Sequence, residues 1–185
     1  MGKIKVAIAG VGNCTQALVT GIQYYREHPE DTRGLMHPDM GGYKVTDIEI
    51  VAAFDINADK VGKDLAEAIY VFPNRAYKYP GVEMKPTGVI VQKGPVFDGN
   101  PPFLNEYYTL SDAPDCDVAK VLKESGAEML LNFIPTESHQ AARHYADCAI
   151  KEAKIGFVNG MPTLIVCDPE YQKIAEENGV PIIGD

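Results

Sequence analysis

The sequence predicts an α/β domain of the doubly wound kind, with a mostly parallel sheet of about six strands. Three observations carry that expectation. Short β-branched runs alternate with helical patterns along the chain. A glycine turn, Gly10-Val11-Gly12, joins the first run directly to the first helical stretch, and an acid, Asp55, closes the second run.

Taken in order, residues 4–9 read as the first strand. Residues 13–27 read as a helix, with Ala17, Leu18, Gly21, Ile22 and Tyr25 near one face. An irregular insertion at 28–46 follows, rich in Pro, Gly, Asp and His. Residues 48–54 form the second strand, and a helix is expected from about Ala58 on the stripe Val61, Leu65 and Ile69. After an irregular stretch at 73–86, residues 88–92 read as a strand and 94–105 as a long loop. A helix near 115–125 precedes a strand at 129–134, which Pro135 stops. A helix over 136–151, a strand at 155–158, a helix near 169–177 and a strand at 180–183 complete the chain. This is the Rossmann-type arrangement, and neither an internal repeat nor a low-complexity segment interrupts it. The sequence stops at a strand end, where a site-forming loop should start, which reads as a truncation.

Length and composition narrow the function classes. The 185 residues suit one domain with a real core, and 45% hydrophobic and 23% charged content is ordinary for a globular protein. A net charge of −9 argues against nucleic acid and against an anionic membrane surface. No apolar run reaches the ~18–20 residues that cross a bilayer, and Met1 leads almost directly into a strand without a leader pattern. The four cysteines, Cys14, Cys116, Cys148 and Cys167, form no C-x-x-C pair, so reduced thiols in the cytoplasm are expected. His139 and His144 are five apart, off one helix face, and the four histidines make no metal motif. Ser138 and His139 lack a nucleophile elbow, and no lysine is flanked as a Schiff base or phosphate clamp.

What remains is dinucleotide chemistry. Gly10 permits the tight turn, and Gly12 lets the backbone approach a pyrophosphate at the open helix N-terminus. The third position of the pattern is Thr15 rather than Gly or Ala. Cys14 in the turn is read as a small residue that fits a crowded place. Asp55, followed by Ile56 and Asn57, is placed to accept from ribose hydroxyls and to disfavour a 2′-phosphate, which selects NAD, although an acid there also suits a helix N-cap or a turn. It lies 45 residues after Gly10, against a usual distance of about 20, and the 28–46 insertion accounts for the surplus. Two more strand ends, Pro135-Thr136-Glu137-Ser138 and Asn159-Gly160-Met161, would stand near the nicotinamide half. Thr136 also suits a helix N-cap, and Asn159-Gly160 a turn. Asp98-Gly99-Asn100 could cover the cofactor or form a surface turn.

Several segments together resemble one family, myo-inositol-1-phosphate synthase in its shorter bacterial form. They are residues 6–15 (VAIAGVGNCT), 21–25 (GIQYY), 34–37 (GLMH), 51–55 (VAAFD), 60–65 (KVGKDL) and 89–95 (VIVQKGP). Residues 110–113 (LSDA), 145–150 (YADCAI), 157–162 (FVNGMP) and 180–185 (VPIIGD) continue the match. The resemblance implies a redox-neutral isomerase that takes glucose 6-phosphate and tightly held NAD. It oxidises, enolises, closes the ring by an intramolecular aldol step and returns the hydride, giving 1D-myo-inositol 3-phosphate for inositol lipids. It also implies a homo-tetramer. By motif, Gly10, Gly12, Asn13, Cys14 and Thr15 would cradle the pyrophosphate and Asp55 the ribose, with Asp64 and Tyr145 as further cofactor positions. Complete members continue past Gly184-Asp185 through a second acid and a Lys-Ser pair into a catalytic and oligomerisation domain. On that reading residues 1–185 are the NAD-binding half, inactive alone, and Asp185 is the one near-catalytic residue present. Two other readings stay open: the Rossmann domain of an ordinary NAD-dependent dehydrogenase, and a stand-alone NAD-sensing module.

Overall fold

In the computed structural model, which describes residues 2–185, the strands β1 (Ile4–Ala9), β2 (Ile48–Asp55), β3 (Gln92–Lys93), β4 (Met129–Asn132), β5 (Gly156–Asn159) and β6 (Ile182–Gly184) form one sheet. Its spatial order is 3-2-1-4-5-6 and every pairing is parallel. That order places a switch point between β1 and β4, where successive connections leave for opposite faces.

Both faces are covered, so alternate residues of each strand enter different cores. Ala7, Ala9, Phe54, Leu130 and Phe157 pack with helices α3 (Val118–Ser125), α4 (His139–Ala146) and α5 (Pro169–Asn178). Val6, Ile8 and Ala53 face the other way, against α1 (Asn13–Glu27) and α2 (Leu65–Ala68). Each fully buried Phe, Leu or Ile contributes about 1.5–3 kcal/mol. The helices start and stop by ordinary signals. Asp117 caps α3, Asp168 with Pro169 opens α5, and left-handed Gly126 and Gly179 end them.

Three elements depart from the sequence expectation. The helix expected from Ala58 shrinks to Leu65–Ala68. The Asn57 side chain accepts from the Asp59 N–H (2.8 Å), Gly62 takes φ +86°, and the Asp64 carboxylate caps the short helix. The strand expected at 88–92 is reduced to Gln92–Lys93. Its apolar residues pair instead with the preceding turn: Leu65 N–H donates to Val89 O (2.8 Å), Gly62 N–H to Val91 O (2.9 Å) and Val91 N–H to Lys63 O (2.9 Å). The helix expected over 136–151 begins at His139 and runs on as a π-helical stretch, Asp147–Ala153. Thr136 is therefore not its N-cap. The insertion at 28–46 folds back on α1, where Tyr24 donates to Asp31 (2.6 Å) and Tyr25 to the Arg33 carbonyl (2.7 Å).

Candidate functional site

The glycine turn sits at the carboxyl end of β1. Gly10 N–H donates to Phe54 O (2.9 Å), and Gly10 takes φ +90°. A Cβ on it would lie 2.5 Å from the Phe133 carbonyl oxygen, so no other residue fits. A Cβ on Gly12 would meet nothing within 4 Å. The space in front of Gly12 is open, as a backbone-binding cradle requires. Helix α1 has no side-chain cap and no acid in its first turn. Its first bond runs from Gln16 N–H to Gly12 O (2.9 Å), leaving the N–H groups of Asn13, Cys14 and Thr15 without an intrahelical partner. The Asn13 side chain accepts from Arg75 N–H (2.6 Å), and Cys14 is exposed. Thr15 is fully buried, and its hydroxyl donates to Gly10 O (2.5 Å). The departure from Gly or Ala thus braces the turn from below.

Asp55 ends β2 beside this turn. One carboxylate oxygen accepts from Ile56 N–H (2.8 Å) and Asn57 N–H (2.9 Å), the other from Val11 N–H (2.8 Å). An ionised carboxylate has about four acceptor positions, so one remains for a ligand. Lys60 Nζ stands 3.9 Å from Asp55 and donates to Val11 O (2.7 Å) and Asn74 Oδ1 (2.9 Å). Lys60 is only 4% exposed. Burial pushes its ammonium below the usual lysine range, and Asp55 partly restores it. Asn74 adds its own bond to Val11 O (2.9 Å) and another to Ile69 O (2.9 Å).

In front of the turn lies a cleft of ≈310 Å³ at the switch point. Gly10, Gly12, Asn13, Cys14, Asp55, Ile56, Asn57, Lys60 and Asn74 line its polar side. Phe54, Leu104, Tyr108, Phe133, Ile134, Pro135 and Tyr145 supply an apolar wall that excludes water. Burial and the nearby Asp55 push the Tyr108 phenol up to about 12. Tyr145 is 3% exposed, and burial raises its phenol well above the usual value. Both are neutral hydrogen-bonding groups at ordinary pH. Gly94 is pressed against the Tyr145 hydroxyl, where a Cβ could not be accommodated. The 94–105 loop closes this side. Its Asp98 accepts from Gln140 N–H (2.8 Å) and Ala141 N–H (2.9 Å), capping α4 in place of a local residue.

The other sequence-predicted residues fall outside the cleft lining. Thr136 is exposed, whereas Ser138 is buried with no partner for its hydroxyl. Asp64 accepts from Ala66 N–H, Thr87 N–H, the Thr87 hydroxyl and Gly88 N–H, which makes it a tether between the α2 start and residues 87–88. It does not line the cleft. Asn159 ends β5, donates to Met161 O (3.1 Å), Thr163 O (2.6 Å) and Asp185 Oδ1 (2.6 Å), and accepts from Asn132 (3.0 Å). Met161 packs against the core. Asp185 also accepts from Ile165 N–H (2.9 Å) and Cys167 N–H (2.8 Å). Among the described residues no group of His, Cys, Asp and Glu could hold a metal ion, and no helix is long and apolar enough to cross a membrane.

Sequence reasoning missed Lys60, Asn74 and Tyr108. The available signal for Lys60 was its place five residues after Asp55, one loop from the same strand end. Nothing comparable marked Asn74, which reaches the turn from a separate irregular segment.

No family model matches the chain. It is 47% identical over 186 aligned residues to an inositol-3-phosphate synthase of Mycolicibacterium smegmatis, an alignment covering 100% of this chain and 50% of that protein. A crystal structure of a protein named Ari2 superposes with a TM-score of 0.85 at 36% identity, over 99% of this chain and 54% of that one. A myo-inositol-1-phosphate synthase-related protein from Thermotoga maritima superposes with a TM-score of 0.70 at 21% identity, over 99% of this chain and 54% of that one, and shares the fold. The family resemblance read from the motifs therefore extends along the whole chain. The chain spans about half the length of the curated relatives it matches.

Proposed function

We propose that this chain is the NAD-binding part of an inositol-3-phosphate synthase, a redox-neutral isomerase that converts D-glucose 6-phosphate to 1D-myo-inositol 3-phosphate. One observation carries the reading: a sequence 47% identical to such a synthase along its length folds into this cleft, with open helix N–H groups behind Gly12. The fit to a dinucleotide is physical. A missing Cβ leaves room at Gly12, uncapped N–H groups attract a diphosphate, and Asp55 keeps one acceptor position for a ribose hydroxyl.

When bound, NAD supplies the hydride acceptor and, later, the hydride donor. The residues of this chain bind and orient it. Gly10, Gly12, Asn13 and Cys14 receive the pyrophosphate, with Thr15 bracing the turn, while Asp55, Ile56 and Asn57 hold the adenosine side. Pro135 and Tyr145 border the cleft beyond Phe133 and Ile134, the side on which the nicotinamide would lie. The apolar wall strengthens every polar contact made there by excluding water. Thr136, Ser138, Asn159, Met161 and Asp185 belong to the neighbouring strand ends, where the sugar phosphate would meet the cofactor. Asp64 serves the fold rather than the nucleotide. The complete protein is a cytoplasmic homo-oligomer on this reading, and residues 1–185 alone form a cofactor-binding domain without turnover.

Two measurements test it. Calorimetric titration of the chain with NAD should give saturable one-site binding. The complete protein, given glucose 6-phosphate and NAD, should yield an inositol monophosphate with no net rise in reduced-nicotinamide absorbance. A steady accumulation of NADH would instead identify a dehydrogenase.

A further inference from the structure

We propose that Lys60 positions the glycine turn and, through its charge opposite Asp55, sets how strongly the site discriminates between NAD and NADP. The inference rests on the NAD reading above.

A lysine that is 4% exposed is an unusual expense for a fold unless its charge is matched. Here the matching is specific to one residue of the turn. Lys60 Nζ takes Val11 O (2.7 Å), while the Val11 N–H is taken by Asp55 Oδ2 (2.8 Å), which lies 3.9 Å from the same ammonium. Both backbone groups of the residue between Gly10 and Gly12 are thus held by the two members of one ion pair. A trans peptide carries its N–H opposite its C=O, so the hold on Val11 O also sets the direction of the Gly12 N–H. Asn74 secures the arrangement from the far side, bonding both Lys60 and Val11 O.

The pair also changes the electrostatics of the acid. An isolated carboxylate at this strand end disfavours a 2′-phosphate by repulsion. In this chain a buried ammonium offsets that charge, and three N–H groups occupy most of the carboxylate. Rejection of NADP should accordingly be weaker than a bare acid would give, and it should sharpen when the cation is removed.

The test measures dissociation constants for NAD and NADP by calorimetry on the full chain, with Lys60→Met and Lys60→Arg beside the parent. Lys60→Met should weaken NAD binding about tenfold and NADP binding about tenfold more, because the acid loses its counter-charge in a poorly solvated site. Lys60→Arg retains the cation and should keep the parent NADP-to-NAD ratio even where overall affinity drops. A ratio unchanged in Lys60→Met, in a chain whose parent binds NAD, would overturn the proposal and leave the NAD reading standing. A parent that binds neither nucleotide would overturn the NAD reading and this proposal with it. Should Lys60→Met fail to fold, Lys60→Gln removes the charge while keeping a donor for Val11 O, and NADP must again weaken more than NAD; an unchanged ratio overturns the proposal equally.

Discussion

At the β1–β2 end of the sheet, the polar side chains beneath the glycine turn have partners within the chain. Asp55, Lys60, Asn74, Asn13 and Thr15 all bond to backbone or to one another. At the β4–β5 end and the loop that covers α4, three buried polar atoms have none among the described residues: Asn132 Oδ1, Ser138 Oγ and Asn100 Oδ1. The orientation of Asn132 follows from its neighbour. Asn159 faces three acceptors with its amide nitrogen, so its oxygen must receive the Asn132 NH2, and the Asn132 oxygen is left over. One region is thus preorganised before any ligand arrives, and the other holds unmet hydrogen-bonding capacity. The difference separates a turn whose polar groups are held by the fold from a strand end whose polar groups are only partly held.

The strongest way to break the comparison is at the contact between the two regions. Gly10→Ala places a methyl group 2.5 Å from the Phe133 carbonyl at a φ of +90°, and should cost on the order of 4 kcal/mol or prevent folding. Gly12→Ala meets no atom within 4 Å and should leave the melting temperature nearly unchanged while weakening NAD binding. Thermal unfolding followed by circular dichroism, with calorimetry for NAD, separates the two glycines. Equal thermal losses would show that the turn is not locked by β4.

Asp55→Ala comes next. It frees three N–H groups and strands the Lys60 ammonium, for an expected loss of about 3 kcal/mol. Urea unfolding should register it as a lower midpoint with an unchanged slope. A loss below about 1 kcal/mol would mean that the grip is not preorganised by this acid. Asp98→Ala should be milder, about 1–2 kcal/mol, because it removes a cap from α4 and leaves the N–H groups of Gln140 and Ala141 to water. Hydrogen exchange at those two amides should speed up selectively.

The two regions also differ in how far the sequence betrayed them. Strands β1, β2, β4 and β5 and helix α1 carry local periodicity that survives folding, and the glycine turn is itself a local signal. The stripe Val61, Leu65 and Ile69 imitates a longer helix, but the Asn57 cap and the positive φ of Gly62 hold residues 57–63 in turns. Val89–Val91 have strand composition, yet their backbone groups are spent on residues 62–65 rather than on β2. The Asp55 position was legible as an acid at a strand end, whereas its occupation by three N–H groups was not. Lys60 and Asn74 acquire their roles through contacts 49 and 63 residues away along the chain, to Val11 O, which no local pattern encodes. The cap of α4 was hidden for the same reason: Asp98 supplies it from 42 residues upstream, so Thr136 only looked like the cap.

The smallest expected effect tests the β4–β5 end. Ser138 is 1% exposed and its hydroxyl has no partner among the described residues, so the free chain bears the desolvation of that group without compensation from them. Ser138→Ala keeps the volume nearly constant and removes the orphan. It should therefore raise stability by up to about 1 kcal/mol in the ligand-free chain, an uncommon sign for a buried substitution. Asp55→Ala at the other end changes stability in the opposite direction, although both remove a polar group near the cleft. If Ser138→Ala instead destabilised the free chain, the hydroxyl would already be satisfied, and the two ends of the sheet would follow the same rule. If it stabilised the free chain but weakened NAD binding, the hydroxyl would be assigned to the ligand, and the unmet capacity at β4–β5 would have its partner.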